Sequence, residues 1–246
     1  MALFLISLGL YDKEDMSIKA LDACKKCDEL YIELYTNYYN ASIEELSKFV
    51  GKKIIKLNRD DIEDKSENLI KNAKKKDIGI LIPGDCISAT THLALADEAK
   101  KNKIKTVLIH GSSIFTAVAE TGLFLYKFGK TASIPFDNRN VEAPYDILKD
   151  NKKAHTLFLL DIKYDRYMKA NEALDYLINM EKKRKENVIS LDKKAVVCSA
   201  LGSDKSEIKF GKIKDLIKGK FNKFPQCVII PGELHFFEEE VLESFR

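Results

Sequence analysis

The sequence predicts an α/β protein with a largely parallel sheet. Short apolar runs typical of buried strands alternate with segments in which apolar residues recur at helical spacing. Such alternation is typical of parallel sheets covered by helices. With 246 residues, 45% of them hydrophobic, the chain is long enough to bury one large core or two modest ones.

The first half of the chain contains the clearest alternation. Residues 1–6 are apolar but have no basic residue before them, so we predict the first buried strand there and not a signal peptide. Ser42 and Glu45 have the spacing of a capping box, which predicts a helix start. The predicted strands are 3–8, 29–34, 53–57, 79–82 and 105–109, and the predicted helices are 17–26, 42–49, 60–75 and 91–100.

A second set of elements follows a helix that is predicted to begin at Ser113. The chain has no repeat of fixed period and no low-complexity linker. We therefore expect two α/β domains, residues 1–112 and 113–246, with an extensive interface. The later predicted strands are 156–160, 195–199, 207–210 and 227–230, and the later helices are 170–181 and 236–242.

Composition excludes several classes of protein. Five scattered cysteines argue against a disulfide framework and indicate a reducing, cytoplasmic compartment. The longest uncharged stretch, residues 106–119, is shorter than the roughly 20 residues of a membrane helix, so no membrane is expected. A net charge of +3 does not indicate direct nucleic-acid binding, and the lysine-rich runs are interpreted as solvated helix ends.

Several predicted strands end in a tight turn. Glycine allows positive φ in such turns and lets the backbone approach a ligand closely. Ligands of α/β proteins bind beyond the carboxyl ends of the strands, so turns that converge there would form a pocket. The turns contain Gly9, Gly84, Gly111, Asp161, Gly202 and Gly232.

Asp85, directly after Pro83 and Gly84, is the sharpest candidate for a binding residue. A carboxylate at this place can accept hydrogen bonds from a ribose or an amino group, or it can cap the following helix. Cys24 and Cys27 have the spacing of zinc ligands, but no second pair follows them. We expect these cysteines to pack in a core, and we expect no metal site.

The four histidines do not form a recognisable catalytic arrangement. His92, His110 and His155 lie on mostly apolar segments, where we expect buried, hydrogen-bonded rings, whereas His235 is expected near a ligand. Residues 128–131 are similar to the end of a P-loop, but Phe124 stands where the earlier glycine is required. The dinucleotide fingerprint is absent as well.

Several blocks of the sequence, among them residues 9–12, 83–85 and 111–131, together resemble the diphthine synthases, and the resemblance covers residues 8–240. The longest block, residues 111–131, begins with Gly111, Ser112 and Ser113 after an apolar strand. The resemblance implies two α/β domains of the tetrapyrrole methylase type, with S-adenosylmethionine in the cleft between them, and a homodimer. The other blocks are residues 9–12, 83–85, 89–92, 133–136, 144–146, 160–163, 231–232 and 234–236.

The resemblance also implies a set of cofactor contacts. It indicates no metal ligand and leaves any catalytic side chain unidentified. Ser7 departs from the family, which usually has glycine there, and residues 137–143 and 200–205 depart as well. The apolar run 123–126 is expected in the dimer interface or in its own core. The implied contacts are Leu10, Asp85, Ser88, Ser113, Ile114, Leu160, Leu201 and His235.

The reaction implied by the resemblance methylates the amino group of a modified histidine on translation elongation factor 2. It gives diphthine and S-adenosyl-L-homocysteine. Lys127, Lys130 and Lys163 are expected to attract acidic surface on that partner. Two alternatives stay open: a tetrapyrrole or ribosomal RNA methyltransferase of the same fold, and a non-catalytic module that binds the elongation factor.

Overall fold

The computed structural model describes residues 1–35, 37–163 and 166–246. The chain divides into two compact units, Met1–Phe115 and Thr116–Arg246. This division falls within a short helix, Ile114–Ala117, close to the expected boundary after residue 112. Each unit has its own five-stranded sheet among the described residues.

The first unit is a parallel sheet with helices between its strands. Its strands are β1 (Ala2–Ser7), β2 (Glu29–Glu33), β3 (Ile54–Leu57), β4 (Ile78–Ile82) and β5 (Lys105–Ile109). Its helices are α1 (Ile18–Lys26), α2 (Ile43–Val50), α3 (Arg59–Glu63), α4 (Ser66–Ala73) and α5 (His92–Lys101). The strand order is β3-β2-β4-β1-β5, and all pairings of these strands are parallel.

Every residue of β4 is buried, as expected for a central strand that is covered on both faces. The capping box predicted for α2 is confirmed: Ser42 Oγ accepts from Glu45 N at 3.1 Å, and Glu45 Oε2 accepts from Ser42 N at 2.8 Å. The prediction of a single helix over residues 60–75 is wrong. The segment forms two helices, because α3 ends at a turn in which Asp64 N and Lys65 N both donate to Asp60 O.

The two cysteines with zinc-like spacing lie in the core of the first unit. Cys24 and Cys27 are buried among the apolar residues of α1 and β2, which confirms their expected packing role. Burial raises the pKa of each thiol to about 12, so neither is a thiolate at neutral pH.

The second unit contains a different kind of sheet. Its strands are β6 (Ala132–Ile134), β7 (Thr156–Leu160), β8 (Ile162–Lys163), β9 (Arg166–Tyr167), β10 (Lys194–Ser199), β11 (Glu207–Lys212) and β12 (Gln226–Ile230). The helices that follow α5 are α6 (Ile114–Ala117), α7 (Ala143–Asn151), α8 (Ala170–Arg184), α9 (Ile213–Leu216) and α10 (Phe236–Glu243). The sheet order is β11-β10-β12-β7-β6, and β8 pairs with β9.

The prediction of a largely parallel sheet is wrong for this second unit. β10 is antiparallel to both β11 and β12, and β12 is antiparallel to β7, while β6 and β7 are parallel. The predicted strands themselves are present. Their direction could not be predicted because a short buried apolar run has the same pattern in both kinds of sheet.

Glu238 is a fully buried carboxylate that fastens α10 to the rest of the second unit. Its Oε1 accepts from Phe124 N at 2.8 Å and from His155 Nε2 at 3.0 Å, and its Oε2 accepts from His235 N at 2.8 Å. Lys127, expected to face a partner, instead pairs its ammonium with Glu238 Oε2. Burial alone would raise the pKa of Glu238, but these hydrogen bonds lower it to about 2.

His155 is the buried, hydrogen-bonded imidazole that was predicted. Its Nδ1 accepts from Gly232 N at 3.0 Å, and its Nε2 donates to Glu238. Burial lowers the pKa of His155 although Glu238 opposes this effect, so the ring is neutral at pH 7. One neutral tautomer therefore satisfies both neighbours.

Replacing Glu238 by Gln is expected to lower the free energy of unfolding at pH 7 by about 2–4 kcal/mol, because an amide leaves buried donors unpaired. Folding lowers the pKa of Glu238 from 4.5 to about 2. Its ionised form therefore contributes stability above about pH 4.5, which is lost as the pH falls toward 2.

Urea denaturation between about pH 3 and pH 7 measures both effects. The unfolding free energy of Glu238→Gln should change less steeply with pH than that of the unmodified chain. Glu240→Gln, at an exposed position of the same helix, is the control. Equal stability of the two variants at pH 7 would contradict the role of Glu238.

Candidate functional site

Turns of the first unit meet at the carboxyl ends of β1, β4 and β5, because β1 pairs in parallel with both other strands. Gly9 N donates to Gly84 O at 3.3 Å, and Gly84 N donates to Gly9 O at 2.7 Å. Gly9 has φ of 88°, and a Cβ there would lie 2.4 Å from Asp15 Cβ. Only glycine fits this position.

Asp85 joins the turn after β4 to the turn after β5. Its Oδ1 accepts from Ile87 N at 3.2 Å and from Ser88 Oγ at 2.9 Å. Its Oδ2 accepts from His110 Nδ1 at 2.9 Å and from Gly111 N at 3.2 Å. Burial would raise the pKa of Asp85, but the hydrogen bonds, led by that from His110, lower it below 3.8. The carboxylate thus caps its own turn and also reaches the next one.

The prediction that His110 is buried is wrong. Its side chain is 65% exposed, because it follows β5 and lies outside the sheet. Its partner could not be predicted from sequence, since Asp85 belongs to another strand end. The sequence signal for its exposure is that His110 is a polar residue directly after the apolar run of β5.

Ser7 also fastens this cluster of turns. Its side chain is buried, and its Oγ accepts from Cys86 N at 2.8 Å, directly beside Asp85. A Cβ at Gly111 would lie 2.6 Å from Ser7 Cβ, so the chains approach closely. Ser7 therefore makes a hydrogen bond that a glycine, the residue expected here from the resemblance, could not make.

The structure brings the expected first-unit contacts to one sheet edge. Leu10, which is buried, follows Gly9, and half-buried Ser88 bonds to Asp85. Ser113 is buried, and half-buried Ile114 begins α6. Four of these five expected contacts lie on the turns that follow β1, β4 and β5, and Ile114 lies directly after the last of these turns.

The expected second-unit contacts are divided between two edges of the second sheet. Leu160 ends β7 and Leu201 follows β10, and both of these strands run antiparallel to the intervening β12. They therefore end at the same edge. His235 follows β12, whose last residue, Ile230, pairs with Thr156 at the beginning of β7. The described contacts of the 231–235 segment do not bring His235 to Leu160 and Leu201.

His235 is the N-cap of α10. Its Nδ1 accepts from Phe237 N at 3.3 Å, so in the neutral ring the hydrogen is on Nε2 of an exposed side chain. Around it lies an aromatic surface formed by Phe124, Tyr126, Phe236 and Phe237 with His235. The ring centroids of Phe124 and His235 are 5.6 Å apart, and those of Phe124 and Tyr126 are 5.3 Å apart.

The departing segment 200–205 is a hydrogen-bonded turn. Ser203 Oγ donates to Ala200 O at 2.8 Å, and Lys205 N donates to Ser203 Oγ at 3.1 Å. Ala200 and Gly202 both have positive φ, at 51° and 85°. Leu201 is buried between them.

The described residues contain no group of three or more His, Cys, Asp or Glu side chains that could hold a metal ion. None of the helices found in residues 1–35, 37–163 and 166–246 is long and apolar enough to cross a membrane.

Comparison with known proteins decides the family. Residues 2–217 match the tetrapyrrole (corrin/porphyrin) methylases. The diphthine synthase of Methanocaldococcus jannaschii is 47% identical to this chain, and the match covers 98% of the chain and 97% of that relative. The diphthine synthase of Methanococcus maripaludis is 47% identical with the same coverage. This chain belongs to the diphthine synthase family.

A solved structure agrees with this assignment. A crystal structure of a diphthine synthase has a TM-score of 0.92 and 37% sequence identity, and the alignment covers 100% of this chain and 96% of that one. The predicted α/β fold class and the predicted enzyme class, a methyltransferase of this family, are confirmed.

The turns of the first unit fit a cofactor that carries hydroxyl and amino groups, such as S-adenosylmethionine. Gly84 is buried with φ of 75°, and Asn37 Nδ2 lies 3.7 Å from the position that a Cβ would take, at van der Waals distance. Asp85 Oδ2 is held from one side by exposed His110, which a ligand hydroxyl can replace as a donor.

Asp85→Ala is expected to weaken S-adenosylmethionine binding at least tenfold, about 1.4 kcal/mol, because the hydrogen bonds that hold two turns are lost. Isothermal titration calorimetry measures the affinity. Asp97→Ala, at an exposed position of α5, is the control. His110→Ala frees Oδ2 and should bind the cofactor no more than threefold more weakly. Unchanged affinity in a folded Asp85→Ala variant would refute this role.

Proposed function

We propose that this chain transfers methyl groups from S-adenosylmethionine to the amino group of a modified histidine on translation elongation factor 2. The products are diphthine and S-adenosyl-L-homocysteine. The observation that carries this proposal is the 47% identity to diphthine synthases over 98% of the chain. The cytoplasm, where thiols stay reduced, is the proposed compartment, in keeping with five free cysteines.

The proposed cofactor contacts in the first unit are Leu10, Asp85, Ser88, Ser113 and Ile114. They are supported by the shared sheet edge and by the hydrogen bonds of Asp85 to Ser88 and Gly111. In the second unit, the family resemblance adds Leu160, Leu201 and His235 to the proposal. The Nε2 hydrogen of His235 is a suitable donor to a cofactor oxygen or ring nitrogen.

The proposed chemistry needs no metal. The cofactor supplies a methyl group on a positively charged sulfur, which a neutral amine can attack directly. The protein's contribution is to hold the amine in line with the methyl carbon and to exclude water, and alignment can supply about 7–11 kcal/mol in favourable cases. The turns that follow β1, β4 and β5 serve this purpose because hydrogen bonds hold them to one another.

The test is mass analysis of elongation factor 2 that carries an aminocarboxypropyl group on its histidine, after incubation with this chain and S-adenosylmethionine. We expect added methyl masses on that form and none on the factor with unmodified histidine. Labelling should persist in excess EDTA. Loss of activity with EDTA and its return with zinc or magnesium would contradict the metal-free chemistry.

Two outcomes would replace the proposed substrate. Methyl transfer to a tetrapyrrole or to ribosomal RNA, with none to the elongation factor, would assign a different member of the same fold. Binding of S-adenosylmethionine and of the factor without any turnover would indicate a non-catalytic module.

A homodimer is part of the proposal, and its proposed interface is formed by the exposed phenyl and phenol rings of the aromatic surface, without His235. Tyr126 is 82% exposed, Phe236 74% and Phe237 48%. Leu123, by contrast, is buried in its own unit, so the apolar run 123–126 is divided between core and surface. Clustered exposed aromatic side chains are typical of protein interfaces.

Tyr126→Glu is expected to shift the chain from dimer to monomer at micromolar concentration, because a charge would be buried in the proposed interface. Light scattering measures the mass. Leu191→Glu, at a 44% exposed position outside the aromatic surface, is the control and should stay dimeric. A monomeric unmodified chain would refute the dimer, and a dimeric Tyr126→Glu variant would refute this interface.

A further inference from the structure

His92, the first residue of α5, is a buried histidine. It is not one of the proposed cofactor contacts. The His92 side chain is 0% exposed, and its Nδ1 is within hydrogen-bond distance of Thr90 Oγ1. Its Nε2 faces Glu33 Oε1 at 3.6 Å, and the Glu33 side chain is also 0% exposed. Among the described residues, Nε2 has no hydrogen-bond partner at normal distance. The expectation of a satisfied ring at His92 is therefore only half correct.

This arrangement favours one direction of the Thr90 hydroxyl. Burial lowers the pKa of His92 to about 4, so its ring is neutral and carries one hydrogen. We place this hydrogen on Nε2, because that nitrogen faces the Glu33 carboxyl group, whose oxygens can accept it. Nδ1 is then an acceptor, and Thr90 Oγ1 must donate to it.

The hydroxyl oxygen of Thr90 keeps capacity to accept. His92 N donates to it at 3.4 Å, which among the described contacts leaves one lone pair. Thr90 is half buried, in contrast to the fully buried His92 beside it. With its hydrogen directed to His92 Nδ1, Thr90 Oγ1 can accept a hydrogen bond from a further N–H donor.

Thr90 belongs to the same loop as the proposed cofactor contacts. Asp85 fixes the first part of this loop through Ile87 N and Ser88 Oγ, and the contacts of Thr90 with His92 fix the last part. Between them Ala89 has φ of 54°, a left-handed conformation that costs energy for a residue with a Cβ. The surrounding hydrogen bonds hold this strained turn in place.

We propose that Thr90 Oγ1 accepts a hydrogen bond from the amine that is methylated and orients its nitrogen toward the methyl carbon. This inference rests on the proposed function. In the transfer the N–C bond forms while the C–S bond breaks, and the C–S electron pair goes to sulfur. Positive charge moves to nitrogen, and its proton is released to solvent afterwards.

The hydrogen bond to Thr90 strengthens as nitrogen becomes positive, because a charged N–H is the better donor. The interaction is therefore stronger in the transition state than in the ground state and acts on kcat. A neutral primary or secondary amine has an N–H to donate, whereas a neutral tertiary amine has none. The effect of Thr90 must accordingly be confined to transfers onto primary and secondary amines.

The experiment compares Thr90→Val, Thr90→Ser and Thr91→Val, using precursor-bearing elongation factor 2 and time-resolved mass analysis. Thr90→Val keeps the shape but loses the acceptor, and it should lower kcat of the first transfer at least tenfold. Thr90→Ser should stay within threefold of the unmodified chain, and Thr91→Val, at an exposed neighbouring position, should match it. The Kd of S-adenosylmethionine should change less than twofold in all three variants.

Three results would overturn the role of Thr90. They are an unchanged kcat in folded Thr90→Val, equal losses in Thr90→Val and Thr90→Ser, and a loss of cofactor affinity that accounts for the loss of activity. If transfer onto a tertiary amine takes place and is slowed as much as the first, the hydrogen bond is likewise refuted. Failure of the proposed function is distinct, because the unmodified chain would then methylate no elongation factor.

Discussion

The Asp85 carboxylate is the interaction on which the candidate site depends. Parallel pairing of β1 with β4 and β5 brings three strand ends together, but it does not fix the turns that follow them. Asp85 does so by accepting donors from its own turn and from the turn at Gly111. The carboxylate remains ionised near neutral pH because these bonds favour its charged form. One side chain therefore sets the relative positions of two loops.

Sequence patterns predicted the first unit well and the second unit less well, for a physical reason. In a parallel sheet every strand ends at the same edge, so turn residues such as Gly9, Gly84 and Gly111 could be grouped without knowing the pairing. In an antiparallel sheet successive ends alternate between edges. The turn at Gly232 accordingly lies near His155, which directly precedes β7, and not at the edge where β7 and β10 end.

Polar pairs between distant residues were the other part of the site that sequence could not predict. His110, His92 and His155 each occur on apolar segments, yet one is exposed beside Asp85 and two are buried beside glutamates. Hydrophobic periodicity reports which segments are buried, not which carboxylate meets which imidazole. The role proposed for Thr90 depends on such a pair, because Glu33 faces one nitrogen of the His92 ring and the Thr90 hydroxyl contacts the other.

Through Glu238, α10 contributes to the core of the second unit, although it lies outside the part of the chain that matches the tetrapyrrole methylases. The match to the tetrapyrrole methylases ends at residue 217, before β12 and α10. Yet the amide of Phe124 and the ring of His155 find their acceptor on α10, in a fully buried position. A chain shortened to the matched residues would leave both donors without an acceptor in an apolar interior. The final helix is thus as much a part of the second unit's core as any strand of its sheet.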